Sequence, residues 1–332
     1  MQADRGDSLT ILVTGGAGYI GAHVVRLLVE RGLSVVVVDD LSTGDRRRVS
    51  GAPLEVLDVT AADAPEHMAA ISRAHGVDAV IHFAAKKQVG ESVMRPSWYY
   101  RQNVGGLANV LDAADRAGID RFVFSSSAAV YGAPELPVVD ESVAPKPINP
   151  YGETKLVGEW MLRDVTRARD MKAVSLRYFN VAGAGWPDLG DPAALNLVTI
   201  VLERMERGER PLVYGSDFDT PDGTGIRDYV HVLDVAEAHL AALDHLRGKG
   251  GYDVFNVGTG SSASVLEVIA EIERVSGNRM EPEFAARRAG DPGELVADAG
   301  RIGAALGWRG HRGLHEIAAS AWEAHRQRVR RG

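Results

Sequence analysis

Tyr151 and Lys155 lie four positions apart in the run Tyr151-Gly152-Glu153-Thr154-Lys155, directly after Asn149-Pro150. Proline suits the first turn of a helix and asparagine its cap, so a helix start is expected here. On that helix the phenol and the ammonium share one face, one turn apart. A free tyrosine titrates near pH ~10, and bringing it to ~7 requires about 4 kcal/mol. A cation at roughly 4 Å in an effective dielectric of ~20 supplies about that much. The helix N-terminus acts in the same direction, as would an oxidised nicotinamide ring. Such a phenol can give and take a proton near neutral pH. The same spacing also occurs in ordinary exposed pairs, so the pair gains weight only from its surroundings.

Those surroundings hold two further signals. Ser125-Ser126-Ser127 follow an apolar strand at 122–124, at the end where parallel sheets place their sites. A serine there can hydrogen-bond both a substrate hydroxyl and a phenolate. Upstream, Gly15, Gly18 and Gly21 are spaced three and three, a GxxGxxG variant of the dinucleotide turn. Glycines permit the tight strand-to-helix turn and a close approach of backbone to a pyrophosphate, which the next helix meets with its free N–H groups. Asp39 ends the following strand, 18 residues after Gly21. Its carboxylate is expected to accept the adenosine ribose hydroxyls and to repel a 2′-phosphate, which predicts NAD rather than NADP. Arg46-Arg47-Arg48 is the counterweight, but it sits farther along the loop. Asp58 has two readings, an adenine contact or an N-cap for the helix beyond.

Strands and helices that would position these groups are legible in the pattern. Apolar runs at 9–13, 34–38, 54–57, 79–83, 122–124 and 173–176 suit strands buried on both faces. Helical segments are expected at about 63–74, 97–117 and 151–167. This alternation predicts an α/β fold, a Rossmann-type doubly wound parallel sheet with a smaller, interleaved C-terminal substrate domain. The expected boundaries are 1–180 for the NAD-binding domain, with a returning segment near 231–260, and 181–332 mainly for substrate. Past Asn180 the pattern turns irregular, with helices expected at 197–207 and 234–246 and a strand at 254–257 that rejoins the main sheet.

Composition narrows the function classes. With 332 residues, 45% hydrophobic and 25% charged, the chain reads as globular and longer than one core needs. Its formal net charge of −8 and lack of a long basic run argue against nucleic acid. No cysteine is present, which removes disulfides, thiol catalysis and cysteine-ligated metals; no metal is expected. No run is apolar and long enough for a membrane span, and residues 1–10 lack a signal-peptide core, so a cytoplasmic protein is expected.

Together these residues closely resemble the extended short-chain dehydrogenase/reductase superfamily and, within it, the UDP-glucose (UDP-galactose) 4-epimerase family. The match spans about residues 12–308. Besides the glycine turn, the serines and Tyr151 to Lys155, it includes His82-Phe83-Ala84-Ala85, Val89-Gly90-Glu91-Ser92-Val93, Val130-Tyr131-Gly132, Arg177-Tyr178-Phe179-Asn180, Gly225-Ile226-Arg227-Asp228-Tyr229 and Arg287-Arg288-Ala289-Gly290-Asp291. The glycine turn places only the superfamily. Lys87 before Val89-Gly90-Glu91-Ser92, and the Gly-Ile-Arg-Asp-Tyr stretch, are more specific.

What the resemblance implies is residue-specific. Gly15, Gly18, Tyr19, Ile20 and Gly21 would meet the pyrophosphate of NAD, and Asp39, Asp40, Leu41, Asp58 and Val59 the adenosine half. Phe83, Ala84, Ala85, Lys87, Gln102, Asn103 and Ser125 would line the cofactor. Lys155 would bind the nicotinamide ribose, with Tyr178 and Phe179 beside the ring. Ser127 and Tyr151 would address the sugar's 4-hydroxyl, with Lys155 completing the catalytic set and Lys87 also reaching substrate. Asn180, Asn196, Leu197, Val213, Tyr214, Arg227, Arg288 and Asp291 would hold the UDP-sugar. The implied reaction is 4-epimerisation through a 4-keto sugar, in a homodimer.

Three departures stand out. Gln102 replaces an asparagine that often touches the cofactor, and Asn103 is expected to share that role. Lys86 replaces an apolar residue. Leu295 stands where some relatives carry a tyrosine, beside the sugar's C2 substituent, so UDP-GlcNAc and UDP-GalNAc remain open. A 4,6-dehydratase is disfavoured because Ala128 and Ala129 replace its Asp-Glu pair. A UDP-glucuronate 4-epimerase, and a non-catalytic NAD-sensing protein on the same fold, are the remaining alternatives.

Overall fold

Six apolar runs and one further strand build one seven-stranded sheet, ordered in space Gly251–Val257, Lys172–Tyr178, Arg121–Ser127, Ala79–His82, Thr10–Thr14, Ser34–Asp39, Leu54–Val56. In this computed structural model, residues 9–331 are described except 194, 249, 289 and 290, with the side chain of 331 also left out. Ala289 and Gly290 of the Arg287-to-Asp291 motif, and most of the segment read for a signal peptide, therefore lie outside the described residues. The strands from Arg121–Ser127 to Leu54–Val56 pair in parallel, with Leu12 opposite Val36 and Val80 opposite Phe122. Val36, Val37, Val38, Val80 and Ile81 are all buried, as β-branched and aliphatic runs covered on both faces should be.

Contacts divide the chain into two compact units. One comprises 1–126, 153–176 and 239–254; the other comprises 127–152, 177–238 and 255–332. The sequence boundary at 180 thus runs through a more finely interleaved chain, with 127–152 joining the second unit. In the first unit, helices Ala64–His75 and Gly106–Ala117 pack through Met68, Ala69, Val110 and Ala113 onto Leu12, Val80 and Phe122. The helix expected at 97–117 is not uniform. It starts at Pro96, and residues Arg101–Gly105 widen into a π turn before Gly106–Ala117 continues. Propensity patterns do not distinguish the two ladders, so the widening was invisible in the sequence.

Short strands characterise the second unit. Ser262–Ser264, Ile226–His231, Glu294–Ala297 and Val138–Val139 line up in that order, and Asn180–Ala182 pairs with the far half of Ile226–His231. Helices Leu197–Glu206, Val265–Ser276 and Leu314–Arg331 cover a core of Val198, Leu202, Val268, Ile272 and Ile317. Asp228, fully buried, accepts N–H groups from Thr259, Gly260 and Ala297. One carboxylate thereby ties three segments together. No described helix is long and apolar enough to cross a membrane.

Candidate active site

The glycine turn is a packing solution before it is a binding one. Gly15 has φ 71°, and a Cβ on it would sit 2.7 Å from the Ala84 nitrogen. A Cβ on Gly21 would run into the Gly15 carbonyl oxygen. These two glycines let helix Tyr19–Glu30 start close against the sheet. That helix begins at Gly18 with no side-chain cap and no acidic residue in its first turn, so its N-terminal N–H groups suit an anion. Tyr19 is buried and Ile20 partly so. Asp39 accepts from the Ala17 and Leu41 nitrogens, both at 2.9 Å. Burial raises its pKa, and those two hydrogen bonds pull it back. Leu41 has φ 56°, the one positive φ of a non-glycine among the described residues, which marks a tightly specified turn. A bare helix start beside a carboxylate fits the pyrophosphate and ribose of NAD.

Around the turn the expected residues fare differently. Ala84 and Ala85 are partly buried, Phe83 packs on the His239 ring at 4.7 Å, and Lys87 lies 5.7 Å over the Tyr19 ring. Val59 is buried, its carbonyl accepting from Asn109. Asp58 does not cap the next helix: it accepts from the Thr60 nitrogen and hydroxyl, while Asp63 takes the cap position. The exposed Asp58 closes a local turn instead. Gln102 reaches Thr60 only at 3.5 Å. Asn103 is spent internally: its Oδ1 accepts the Lys86 nitrogen, and its Nδ2 donates to the Lys86 carbonyl and the Thr154 hydroxyl. Both amide donors thus already have partners, and Asn103 clamps two segments together.

Helix Pro150–Ala168 carries Tyr151 and Lys155. Asn149 caps it, its Oδ1 accepting the Gly152 nitrogen at 2.9 Å. A Cβ on Gly152 would lie 2.5 Å from the Ala129 carbonyl, so glycine lets the helix start approach the Ser127–Ala129 turn. Tyr151, half-buried, is hydrogen-bonded to Ser127. Lys155 is buried, with its Nζ donating to the Ser125 carbonyl at 2.7 Å and lying 5.0 Å over the Phe124 ring. Burial raises the phenol's pKa, and the Ser127 hydroxyl opposes it. Burial also lowers the lysine to about 8, with Glu159 opposing. The expectation that Lys155 would bring the phenol down is therefore corrected. Desolvation, which favours the neutral form of each, dominates both groups. His82, lowered to about 3 by burial and the Lys155 charge, stays neutral against Thr14.

The second unit holds the residues assigned to UDP-sugar. Arg227 donates to Asp291 at 3.0 Å and to its neighbour Ile226's carbonyl at 2.7 Å. Leu295 is the register partner of Arg227, so their side chains share one sheet face. Arg288 stacks 3.9 Å over the Tyr214 ring, beside buried Val213. Asn180 is exposed and hydrogen-bonded to the Tyr229 hydroxyl, which burial pushes up to about 12. Tyr178 and Phe179 are buried, and the Phe179 nitrogen donates to the Val257 carbonyl. Asn196 caps helix Leu197–Glu206 through Thr199 and donates to Asp191.

One buried group was missed in the sequence. Glu159, 3% exposed, accepts from the Ser126 hydroxyl at 2.6 Å and acts to raise the Lys155 pKa against its burial. Its spacing of four from Lys155 and eight from Tyr151 was a usable signal, since all three then fall on one helix face.

Three comparisons bear on this arrangement. The sequence profile described as the NAD dependent epimerase/dehydratase family matches residues 11–258. A UDP-glucose 4-epimerase of Azospirillum brasilense is 48% identical over 321 residues, covering 94% of this chain and 91% of that protein. A solved UDP-glucose-4-epimerase of Stenotrophomonas maltophila, with bound NAD and formylated UDP-arabinopyranose, superposes with a TM-score of 0.94 at 38% identity, covering 98% and 100% of the two chains. A UDP-Glc/GlcNAc 4-epimerase of Campylobacter jejuni does so at 0.84 and 38%, covering 96% and 100%.

Proposed function

Since the chain belongs to the NAD dependent epimerase/dehydratase family, we propose that it is an NAD-dependent 4-epimerase interconverting UDP-glucose and UDP-galactose. The observation that carries this reading is the capped helix that presents Tyr151 to the Ser127 hydroxyl, with Lys155 one turn on. Tyr151 takes the proton from the sugar's 4-hydroxyl and later returns it. Ser127 orients both oxygens. Lys155 holds the nicotinamide ribose. NAD, when bound, would supply the hydride acceptor and donor for C4. The glycine turn and Asp39 retain it, so no net oxidation is needed.

On the substrate side, Arg227 and Arg288 neutralise the diphosphate with forked donors, and Asp291 accepts ribose hydroxyls. Holding the sugar through its UDP leaves the 4-keto ring free to turn and present its other face. Leu295, next to Arg227 in the ladder, is smaller than a tyrosine and supports a second reading that extends to UDP-GlcNAc and UDP-GalNAc. The Campylobacter jejuni relative, named for both sugars, supports the same extension.

The assembly is read as a homodimer on helices Pro96–Tyr100 and Pro150–Ala168. Tyr100 donates to Glu153, and Trp160, 48% exposed, lies two turns beyond Glu153 on the same helix. That apolar face suits a second copy. A cytoplasmic role in galactose metabolism follows from the substrates named here. The test is incubation of the purified protein with UDP-Gal, UDP-GalNAc and UDP-GalA separately, without added NAD, followed by proton NMR. Conversion of UDP-Gal to UDP-Glc is expected; no interconversion of any of the three would remove the reading.

A further inference from the structure

Lys86, which the sequence left without an account, has a specific place. Its Nζ donates to the Ser42 hydroxyl at 2.8 Å and lies 3.9 Å from the Asp40 carboxylate. The Ser42 hydroxyl in turn donates to Asp40 at 2.7 Å, so it is oriented with its lone pair toward the lysine. The ammonium also lies 5.9 Å over the Trp98 ring, and Arg95 stacks on that same ring at 3.9 Å. Behind the side chain, the main chain of residue 86 is gripped at both N–H and carbonyl by Asn103, whose amide also reaches Thr154 beside Lys155. A rigid anchor therefore stands on one side and the Asp39–Ser42 loop on the other. That loop turns through the positive φ of Leu41 and carries the Asp39 carboxylate.

We propose that Lys86 is a cofactor-retaining residue: its ammonium fastens the Asp39–Ser42 loop in the conformation that presents Asp39 to the adenosine ribose. The proposal rests on the NAD reading above and deepens it. An apolar side chain at 86 cannot donate to Ser42. The lysine charge also favours the ionised form of Asp39, against its burial, and an ionised carboxylate is the better acceptor for two hydroxyls. With its side chain 20% exposed, the lysine contributes modestly, in the range of partly solvated ion pairs. The effect sought is therefore on retention rather than on folding.

The experiment measures how fast NAD leaves the holoprotein after rapid transfer into nucleotide-free buffer, assayed by the absorbance of acid extracts. Wild type, Lys86→Met, Ser42→Ala and the double variant are compared, with melting temperatures of the NAD-stripped forms. Release about three- to fivefold faster is expected in each single variant. The double variant should be no faster than Lys86→Met, since the two changes break one interaction. Lys86→Arg should restore most of the retention. Wild-type release from Lys86→Met overturns the proposal, as does full additivity in the double variant. So does a stripped Lys86→Met protein that melts several degrees lower, because the loss is then general loosening. If wild type itself holds no NAD, the cofactor reading falls, and this inference with it.

Discussion

The two units reach their binding residues by opposite means. In the first, the proposed cofactor cradle is mainly backbone: a helix start left uncapped by any side chain and a turn too tight for Cβ atoms. Side chains such as Asp39 are themselves held by backbone N–H groups. In the second, the groups proposed to bind UDP-sugar are side chains gathered from remote positions, as with Arg227 and Asp291, 64 residues apart. Backbone cradles tolerate little added volume but do not depend on one charge. Side-chain clusters tolerate volume and fail when a charge is removed.

Four substitutions would break or sharpen this contrast. Tyr151→Phe removes the proposed proton carrier and should lower kcat by about 10³-fold. Bound NAD and UDP affinity should both persist in it, as equilibrium binding by calorimetry would check; near-normal turnover would rule out Tyr151 as the acid-base group. Gly21→Ala drives a Cβ into the Gly15 carbonyl and should weaken NAD binding by about a hundredfold, on the order of 2–3 kcal/mol. UDP binding to the same protein should change little, and a parallel loss of UDP would erase the distinction between the units. Arg227→Ala removes a charge-assisted donor and should weaken UDP by about thirtyfold, roughly 2 kcal/mol. Its NAD content, read from the absorbance of the purified protein, should stay at the wild-type level.

Glu159→Gln is the smallest effect and the most diagnostic of the shared helix. Burial has brought Lys155 to about 8, and Glu159 opposes that fall. The charged lysine is present below its pKa and lost as pH rises through it. Removing the carboxylate charge lowers that pKa further, so the alkaline limb of the pH–rate profile should move to lower pH, with about a threefold loss near pH 8. Glutamine still accepts from Ser126, so a variant with an unshifted limb and only a lower melting point would mark Glu159 as a packing residue.

Much of the first unit, and the start of helix Pro150–Ala168, were readable in advance because their signals are local. The glycine spacing, Asp39 at a strand end and the Asn149 cap each depend on residues within a few positions of one another. The failures have physical causes as well. The π turn at Arg101–Gly105 differs from an α-helix by one residue per loop, which no periodicity records. The protein partners of Asp58 and Asn103 were not legible in the pattern, and Asp63 rather than Asp58 takes the cap of the next helix. Lys86 and Glu159 act through atoms contributed by other parts of the chain, so their partners are unreadable until the segments are assembled.

By itself, the order of residues determined the parallel α/β framework, the nucleotide turn and the one-turn separation of phenol and ammonium. All three follow from short-range sterics and helix period. Tertiary structure alone decided the state of charge on that pair, since burial acts on both together and moves each toward its neutral form. It also decided which amides and carboxylates are already engaged, because desolvation and hydrogen-bond saturation belong to the packed molecule and not to any segment of it.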